Sequence, residues 1–293
     1  MRLLVTGSKG QLVTALLERS AADGIDIVPL GRPQLDLAEP ATIGPAIAAT
    51  KPDAIISAAA YTAVDKAQSE RELAFAVNAT GAGAVAAAAA QLDVPVIHIS
   101  TDYVFNGASP RPYRETDATA PLGIYGASKL AGEQAVAVAT PNHAILRTAW
   151  VYSPFGANFL KTMLRLAAER PEINVVNDQL GNPTAALDLA DAILRVAGNL
   201  LANSDPALRG VFHCAGTGEA SWADFATAIM ATSRSLGGPF ANIHPIPTSA
   251  YPTPAPRPAN SRLDCGKLRA THGVVMPTWQ HSTEQTVRRL LGA

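Results

Sequence analysis

Short aliphatic runs alternate with longer helical patterns through the first half of the chain. These runs are almost continuously apolar, as the strands of a parallel sheet are when helices cover both of its faces. The predicted strands lie at 2–6, 25–30, 54–57, 96–100 and 144–147, and the predicted helices at 11–22, 41–50, 70–91 and 125–139. This alternation indicates βαβ units and a doubly wound parallel sheet.

The second half of the chain is less regular. Its predicted helices lie at 158–170, 187–201 and 222–233, and its predicted strands at 173–176 and 211–213. A proline-rich stretch follows at 245–258, where we expect a rigid extended loop without regular structure, because proline fixes φ and lacks an N–H. The whole pattern predicts an α/β protein in which a Rossmann-type doubly wound sheet is joined to a smaller C-terminal α/β domain.

Composition narrows the class of protein. The 293 residues carry 23 Lys and Arg against 24 Asp and Glu, and this near-neutral balance argues against a nucleic-acid partner. Two cysteines do not make a disulfide framework, and the N-terminus lacks the apolar core of a secretory signal. No window approaches the roughly 20 apolar residues that a membrane span needs, and the run at 82–90 comes closest. We therefore expect a cytoplasmic protein with no membrane partner.

A glycine-containing turn follows the first predicted strand. Gly7 and Gly10 let the backbone approach a pyrophosphate, which the free N–H groups at the start of the next helix would hold. Val13 stands where a dinucleotide-binding fingerprint has its third glycine, so the motif is incomplete. An ordinary strand-to-helix turn is the alternative interpretation.

The end of the second predicted strand bears on the choice of cofactor. An acidic residue there would bind a ribose 2′-hydroxyl, but the sequence reads Gly31-Arg32. Arg32, together with Ser8 and Lys9, suits a 2′-phosphate. We therefore expect NADPH in preference to NADH, with NADH kept as an alternative. If Arg32 is only a solvated loop residue, the sequence gives no reason to expect NADPH rather than NADH.

The candidate catalytic residues are a hydroxyl at the end of a predicted strand and a Tyr-Lys pair on a predicted helix. Thr101 lies at the carboxyl edge of the predicted sheet, where open α/β folds bind ligands. Tyr125 and Lys129 are four residues apart and share one helix face. A phenol with an ordinary pKa near 10 is a poor acid–base group at neutral pH, and a nearby ammonium lowers that pKa. We expect Tyr125 to transfer a proton with help from Lys129, which also binds cofactor ribose, while Thr101 hydrogen-bonds the substrate oxygen.

These motifs resemble the extended short-chain dehydrogenase/reductase superfamily. Longer strings narrow the resemblance to its dTDP-4-dehydrorhamnose reductase family, and they lie at 59–67, 100–107, 125–133, 147–152, 178–184 and 251–263. The resemblance implies NADPH-dependent reduction of the C4 ketone of dTDP-6-deoxy-L-lyxo-4-hexulose to dTDP-L-rhamnose, with Tyr125 as proton donor. Residues 1–150 would then form the NADP-binding domain, and a later segment at about 181–215 would belong to it as well. Residues 151–293 would mainly form the domain that binds the dTDP-sugar.

The same resemblance implies which residues line the two ligand sites. Those near the cofactor are Gly10, Gln11, Leu12, Asp36, Leu37, Ala60, Tyr61 and Thr62. Those near the sugar nucleotide are Val64, Asp65, Thr101, Asp102 and Trp150. Tyr61 stands where the family often has His, a polar aromatic exchange that the site should tolerate.

Several polar residues outside these motifs have two interpretations. Asn260, Ser261 and Arg262 follow the proline-rich stretch and Arg257 precedes them; these residues would suit the diphosphate of a sugar nucleotide, or else form an exposed basic loop. Asn78 interrupts an apolar helix, and a buried amide there needs partners, so it either holds backbone near the active site or is purely structural. His98 lacks metal-ligand spacing to other histidines and is expected to be structural.

Two absences sharpen the expected activity. Related dehydratases carry Asp-Glu after the strand-end Thr, whereas Asp102-Tyr103 stands here, which favours simple ketone reduction. Some family members hold magnesium at a dimer interface through an acidic residue of the first helix, but Ala15 occupies that place. We therefore expect no metal, and the oligomeric state is either a monomer or a homodimer.

Two alternative functions are kept. One is another sugar-nucleotide reductase or epimerase of the superfamily, and the other is a non-catalytic regulatory subunit.

Overall fold

The computed structural model describes residues 1–21 and 24–293, so the last residue of the predicted helix at 11–22 lies outside the described residues. The strands are β1 Arg2–Thr6, β2 Asp26–Leu30, β3 Ala54–Ser57, β4 Val96–Thr101, β5 His143–Thr148, β6 Val151–Tyr152, β7 Glu172–Val176, β8 Leu180–Gly181, β9 Thr184–Ala185, β10 Gly210–His213, β11 Ala220–Ser221 and β12 Asn242–Ile246. The helices are α1 Gln11–Ser20, α2 Pro40–Thr50, α3 Arg71–Phe75, α4 Ala82–Gln91, α5 Ile124–Ala139, α6 Phe159–Glu169, α7 Ala186–Ala202, α8 Trp222–Ser235, α9 Gly266–His272 and α10 Trp279–Leu291.

Six of the described strands form the central sheet, in the order β2-β1-β3-β4-β5-β10. Every neighbouring pair in it is parallel. The strand order reverses between β1 and β3, and in open α/β sheets the crevice at such a reversal binds ligands at the carboxyl ends of the strands. The prediction of a doubly wound parallel sheet is confirmed.

Helices cover both faces of this sheet. Leu3 and Val5 of β1 point into a fully buried core shared with α1 and α7, whereas Leu4 between them packs with α2, α4 and α5. Successive strand residues point to opposite faces, which is why the whole strand had to be apolar. The chain returns to this sheet through α7 and β10 after leaving it at β5.

A continuous helix runs over Arg71–Gln91 and contains a π-helical turn at Ala76–Gly81. Alone among the described helices, it is long and apolar enough to cross a membrane by length and composition. Core helices pass the same test, so this is weak evidence for a span. Val85 and Ala89 are fully buried in the core on the α2–α4–α5 face of the central sheet.

The smaller C-terminal region has a second hydrophobic core. In it, α6, α8 and α10 pack around the parallel pair of β7 and β12. The prediction of a rigid extended loop without regular structure over 245–258 is wrong at its start, because Pro245 lies within β12, paired with Val175. Within residues 1–21 and 24–293, each of the two strands pairs only with the other, so β12 is an edge strand, where a missing N–H is tolerated. A short 3₁₀ turn follows at Thr248–Ala250.

Candidate active site

The loops that follow β1, β2 and β3 meet at the strand-order reversal. Gly7 adopts φ +100°, a conformation that favours glycine, and its N–H donates to the carbonyl of Leu30 at 2.7 Å. The Thr6 hydroxyl accepts from the backbone N–H groups of Ala58 and Ala59, at 3.0 Å each. These bonds fix the three loops around one cleft.

That cleft has a volume of about 800 Å³. Among the residues predicted to bind a cofactor, it is lined by Gly7, Arg32, Asp36, Leu37, Ala60 and Tyr61. Ser8 and Lys9 line it as well, so two cationic side chains share the cleft with backbone N–H groups. A Cβ added to Gly10 would meet no atom within 4 Å, so the protein itself does not require glycine there, and the space above the start of α1 is open to a ligand.

The other predicted cofactor residues lie outside this lining. The side-chain oxygen of Gln11 accepts from Ser153 at 2.7 Å and from Asn158 at 2.9 Å, which ties α1 to the loop before α6. Leu12 packs against the central core and Thr62 is exposed. Their role in cofactor binding stays a prediction.

Asn78, in the π-helical turn, connects two loops of the site. Its Oδ1 accepts from the N–H of Tyr61 at 2.8 Å, and its Nδ2 donates to the carbonyl of Tyr61 and to the hydroxyl of Ser128, at 3.0 Å each. Ser128 in turn donates to the carbonyl of Tyr125 at 2.8 Å. A buried amide therefore holds the cofactor-side loop against the helix that carries Tyr125.

Tyr125 and Lys129 lie on α5 beside the carboxyl end of β4. The ammonium of Lys129 is buried and donates to the carbonyl of Ile99 at 2.7 Å, and its Nζ lies 3.4 Å from Nε2 of His98. Nδ1 of His98 is 3.1 Å from the hydroxyl of Ser57. Burial lowers the pKa of His98 well below its ordinary value, so the imidazole is neutral. Sequence reasoning took His98 as structural and missed its contact with Lys129.

The protonation of the Tyr-Lys pair differs from the expectation. Burial raises the pKa of Tyr125 to about 12, partly opposed by a hydrogen bond with Thr101. Lys129 does not lower this pKa as expected, since its ammonium is bonded to strand β4 instead. Burial lowers the pKa of Lys129 to about 8, against the opposing charge of Glu133. At neutral pH the phenol therefore holds its proton and the ammonium is charged.

Thr101 and Asp102 form the floor of the site at the end of β4. Thr101 donates to Oδ1 of Asp102 at 2.9 Å and accepts from the N–H of Tyr103 at 3.2 Å. Burial raises the pKa of Asp102 to about 6, although the hydroxyls of Ser261 and Thr101 act to lower it. This carboxyl group therefore takes up a proton at a higher pH than an ordinary aspartate, although it is mostly ionised at neutral pH.

Two predicted substrate residues contact each other. Nη2 of Arg257 lies 2.9 Å from each carboxylate oxygen of Asp65, and the N–H of Ala255 also donates to this carboxylate. Val64, next in the chain, is half-buried. The pair joins the proline-rich segment to the loop after β3.

The side chains of Asn260 and Arg262 are also occupied by the protein. Asn260 donates to the carbonyls of Ser109 and Arg111, and its Oδ1 accepts from Nε of Arg262 at 2.8 Å. Arg262 pairs with Glu219 at 2.7 Å. Asn260 is buried and Arg262 is largely buried, so these two residues do not form an exposed loop. Their contact with a diphosphate stays a prediction.

A buried ion pair stands behind the site. Arg147 of β5 makes two hydrogen bonds to Glu133 of α5, at 2.9 and 2.7 Å, and each side chain is 5% exposed. Ser100 donates to the same carboxylate at 2.5 Å. The pair thus clamps the helix of Lys129 onto the sheet, a feature that no sequence signal indicated.

No group of three His, Cys, Asp or Glu side chains suited to a metal ion occurs within residues 1–21 and 24–293. Ala15, where an acidic ligand would be sought, is fully buried in the core beneath α1.

Comparison with known proteins gives a consistent result. A protein-family model described as the RmlD substrate binding domain matches residues 1–291. The chain is 54% identical to a dTDP-4-dehydrorhamnose reductase of Sinorhizobium fredii, over 99% of this chain and 98% of that protein.

Solved structures agree with this result. The fold is similar to a dTDP-4-dehydrorhamnose reductase of Clostridium acetobutylicum, with a TM-score of 0.92, 35% identity and 99% of each chain covered. It is also similar to the enzyme of Bacillus anthracis solved in complex with NADP, with a TM-score of 0.91 and 38% identity over 98% of this chain and 99% of that one.

Proposed function

The chain belongs to the dTDP-4-dehydrorhamnose reductase family of oxidoreductases, and from that premise we propose that it reduces the C4 ketone of dTDP-6-deoxy-L-lyxo-4-hexulose to dTDP-L-rhamnose with NADPH. The observation that carries the proposal is the placement of Tyr125, Lys129 and Thr101 at one carboxyl edge of the sheet, beside a cleft with a cationic rim.

The cleft suits NADPH. A pyrophosphate fits the open space above Gly10, where the first N–H groups of α1 have no intrahelical partner. Arg32 and Lys9 line the same cleft and would meet the 2′-phosphate. When bound, NADPH supplies the hydride that reduces the carbonyl carbon.

Tyr125 supplies the proton. With its pKa raised to about 12, the phenol is fully protonated at neutral pH and can give its proton to the ketone oxygen as the carbon becomes an alcohol. The hydroxyl of Thr101, which donates to Asp102 in this structure, would turn to donate a second hydrogen bond to the same oxygen. One proton donor is sufficient, because ketone reduction removes no water from the sugar.

Lys129 holds the cofactor ribose in this proposal. One of its three N–H donors is taken by the carbonyl of Ile99 and another faces His98, which leaves one for a ribose hydroxyl.

The substrate domain is proposed as 151–293, with 1–150 and about 181–215 forming the NADP-binding domain. We place the sugar nucleotide against Val64, Asp65, Asp102 and Trp150, with Arg257, Asn260 and Arg262 toward its diphosphate. Cys214 and Cys265 are free thiols, which fits the cytoplasm as the proposed location.

One experiment tests the proposal. The purified chain is mixed with NADPH and the keto sugar, nicotinamide absorbance is followed, and the product is identified by NMR. Consumption of NADPH with formation of dTDP-L-rhamnose is expected, and Tyr125→Phe should lower kcat sharply while NADPH still binds. A different sugar product would indicate another reductase or an epimerase. No reaction at all would favour a non-catalytic subunit.

A further inference from the structure

The side chain of Asn158 connects the two hydrophobic cores of the molecule. Asn158 precedes α6, whose Leu160 is fully buried in the C-terminal core. Its amide contacts Gln11, the first residue of α1, and α1 packs through Val13 into the core of the central sheet. The contact therefore joins the start of the helix after the glycine turn to a helix of the smaller region.

Hydrogen bonds fix the direction of the Asn158 amide. Its Oδ1 caps α6 by accepting from the backbone N–H of Lys161 at 3.1 Å. The other end of the amide, Nδ2, donates to the carbonyls of Ser153 and Phe155. It also donates to Oε1 of Gln11 at 2.9 Å. The cap of α6 thus ensures that a donor, and not an oxygen, faces Gln11.

That donor in turn fixes the amide of Gln11. Its Oε1 accepts from Nδ2 of Asn158 and also from the hydroxyl of Ser153, at 2.7 Å. A Cβ added to Gly156 would lie 3.4 Å from Cγ of Gln11, so the loop before α6 also packs against the stem of this side chain. Within the part of the chain that the structure describes, Nε2 of Gln11 makes no hydrogen bond, and it is not cut off from solvent. A free N–H donor is therefore held at the start of α1.

The direction of this amide matters to an anion. The proposed function places a pyrophosphate above Gly10, next to Gln11, where an N–H attracts the anion and an amide oxygen would repel it. We propose that Asn158 is a positioning residue for the dinucleotide site: by holding Oε1 of Gln11, it keeps the N–H groups of that amide turned toward the phosphates. The inference rests on the proposed function for the identity of the anion.

Calorimetric binding of NADPH and of adenosine 2′-phosphate to the full chain tests this. Asn158→Ser keeps an oxygen that can cap α6 but is too short to reach Gln11, so NADPH should bind about three- to tenfold more weakly. Adenosine 2′-phosphate, which has no phosphate at its 5′ position, should bind as it does to wild type. If NADPH binding is unchanged in Asn158→Ser, Asn158 only caps its own helix and the proposal is overturned. An equal loss for both ligands would also overturn it, because the whole cleft would then be disturbed.

A double variant tests whether Asn158 acts through Gln11. Gln11→Met keeps the length of the side chain but removes its amide, so it should weaken NADPH binding at least as much as Asn158→Ser does. Adding Asn158→Ser to Gln11→Met should then cause no further loss, because the amide that Asn158 positions is already gone. Additive losses would refute the positioning role.

Ser221→Ala is the control for a lost helix cap. It removes the N-cap of α8, which packs in the same C-terminal core, and should lower the melting temperature while the affinity for NADPH stays unaltered. Weaker NADPH binding in this variant would mean that any damage to the C-terminal region disturbs the cofactor site, which contradicts the proposal. If the wild-type chain does not bind NADPH, the proposed function fails together with this inference, whereas unchanged binding in Asn158→Ser overturns the inference alone.

Discussion

Arg257 reaches across 192 positions of sequence to pair with Asp65, its Nη2 lying 2.9 Å from each carboxylate oxygen. The guanidinium carbon lies 5.9 Å from the ring centroid of Tyr103, and that ring meets Tyr125 edge to face at 5.6 Å. The ion pair therefore fastens the proline-rich segment next to the proton donor. A residue pair expected to bind the substrate separately is joined within the protein.

Asp65→Asn should release this segment. The amide keeps the volume but loses the charge that holds Arg257, so we expect the KM for the sugar nucleotide to rise several-fold and proteolysis within 247–258 to accelerate. NADPH affinity should change little. Arg165→Gln, which breaks an exposed pair with Glu169, serves as control and should leave both quantities unaltered. Unchanged proteolysis in Asp65→Asn would show that the pair does not hold the segment.

The fold was largely predictable because the central strands are covered on both faces and so are apolar throughout. Helix α10 was missed for the opposite reason. Several of its buried positions are hydroxyl residues, among them Thr283 and Thr286, whose side chains donate to the backbone carbonyls of Trp279 and Ser282. Because hydroxyl residues satisfied within their own helix take the place of apolar ones on the buried face, few apolar positions mark this helix in the sequence.

In the candidate site, too, some features could be predicted from local sequence patterns and others could not. Tyr125 and Lys129 were identifiable because helix geometry alone places residues four apart on one face. The stacking of Trp150 on Trp222 was not, because it depends on how β8 and β11 pair, which no local pattern encodes. Contacts between distant segments need the tertiary structure.

His98 should control the charge of Lys129. The pKa of Lys129 is lowered to about 8, so its ammonium is present below that pH and is lost as the pH rises through it. We therefore expect kcat/KM to fall above about pH 8. His98→Leu removes the neutral acceptor 3.4 Å from Nζ and should move this decline to lower pH, whereas His98→Gln should largely keep it in place. An identical pH profile in His98→Leu would argue against any influence of His98.

Glu133 and Arg147 should be strongly coupled in stability. Arg147→Met leaves a buried carboxylate without its partner, and we expect the free energy of unfolding to drop by about 3–5 kcal/mol. The double variant Glu133→Leu with Arg147→Met should recover part of that loss, since no charge is then buried. Urea unfolding measures both. A cost below about 1 kcal/mol for Arg147→Met, the range of exposed pairs, would contradict the prediction.

Arg32 should determine cofactor preference. Arg32→Ser removes the cation proposed to meet the 2′-phosphate, so the ratio of kcat/KM for NADPH to that for NADH should fall about 10- to 100-fold. Arg170→Ser, at the end of α6, is the control for a general loss of positive charge. Tighter binding of NADH than of NADPH by the wild-type chain would refute the preference outright.

Asp102 should make stability depend on pH. Its folded pKa of about 6 lies above the ordinary value of 3.8, so its contribution is full below about pH 4 and is lost as the pH rises through 6. A shift of this size corresponds to about 3 kcal/mol. Asp102→Asn cannot ionise, so its free energy of unfolding relative to wild type should increase by about that amount between pH 4 and pH 7.

Asp178→Asn provides a control of opposite sign for that measurement. The Thr248 hydroxyl lowers the pKa of Asp178, so the stability that this carboxylate contributes is present at neutral pH and is lost on acidification. Asp178→Asn should therefore be less stable than wild type at pH 7 and closer to it at pH 4. Urea unfolding of the three proteins at both pH values decides the question. If the difference between Asp102→Asn and wild type is the same at pH 4 and pH 7, Asp102 ionises like an ordinary carboxyl group and is not held protonated by its burial beside Tyr125.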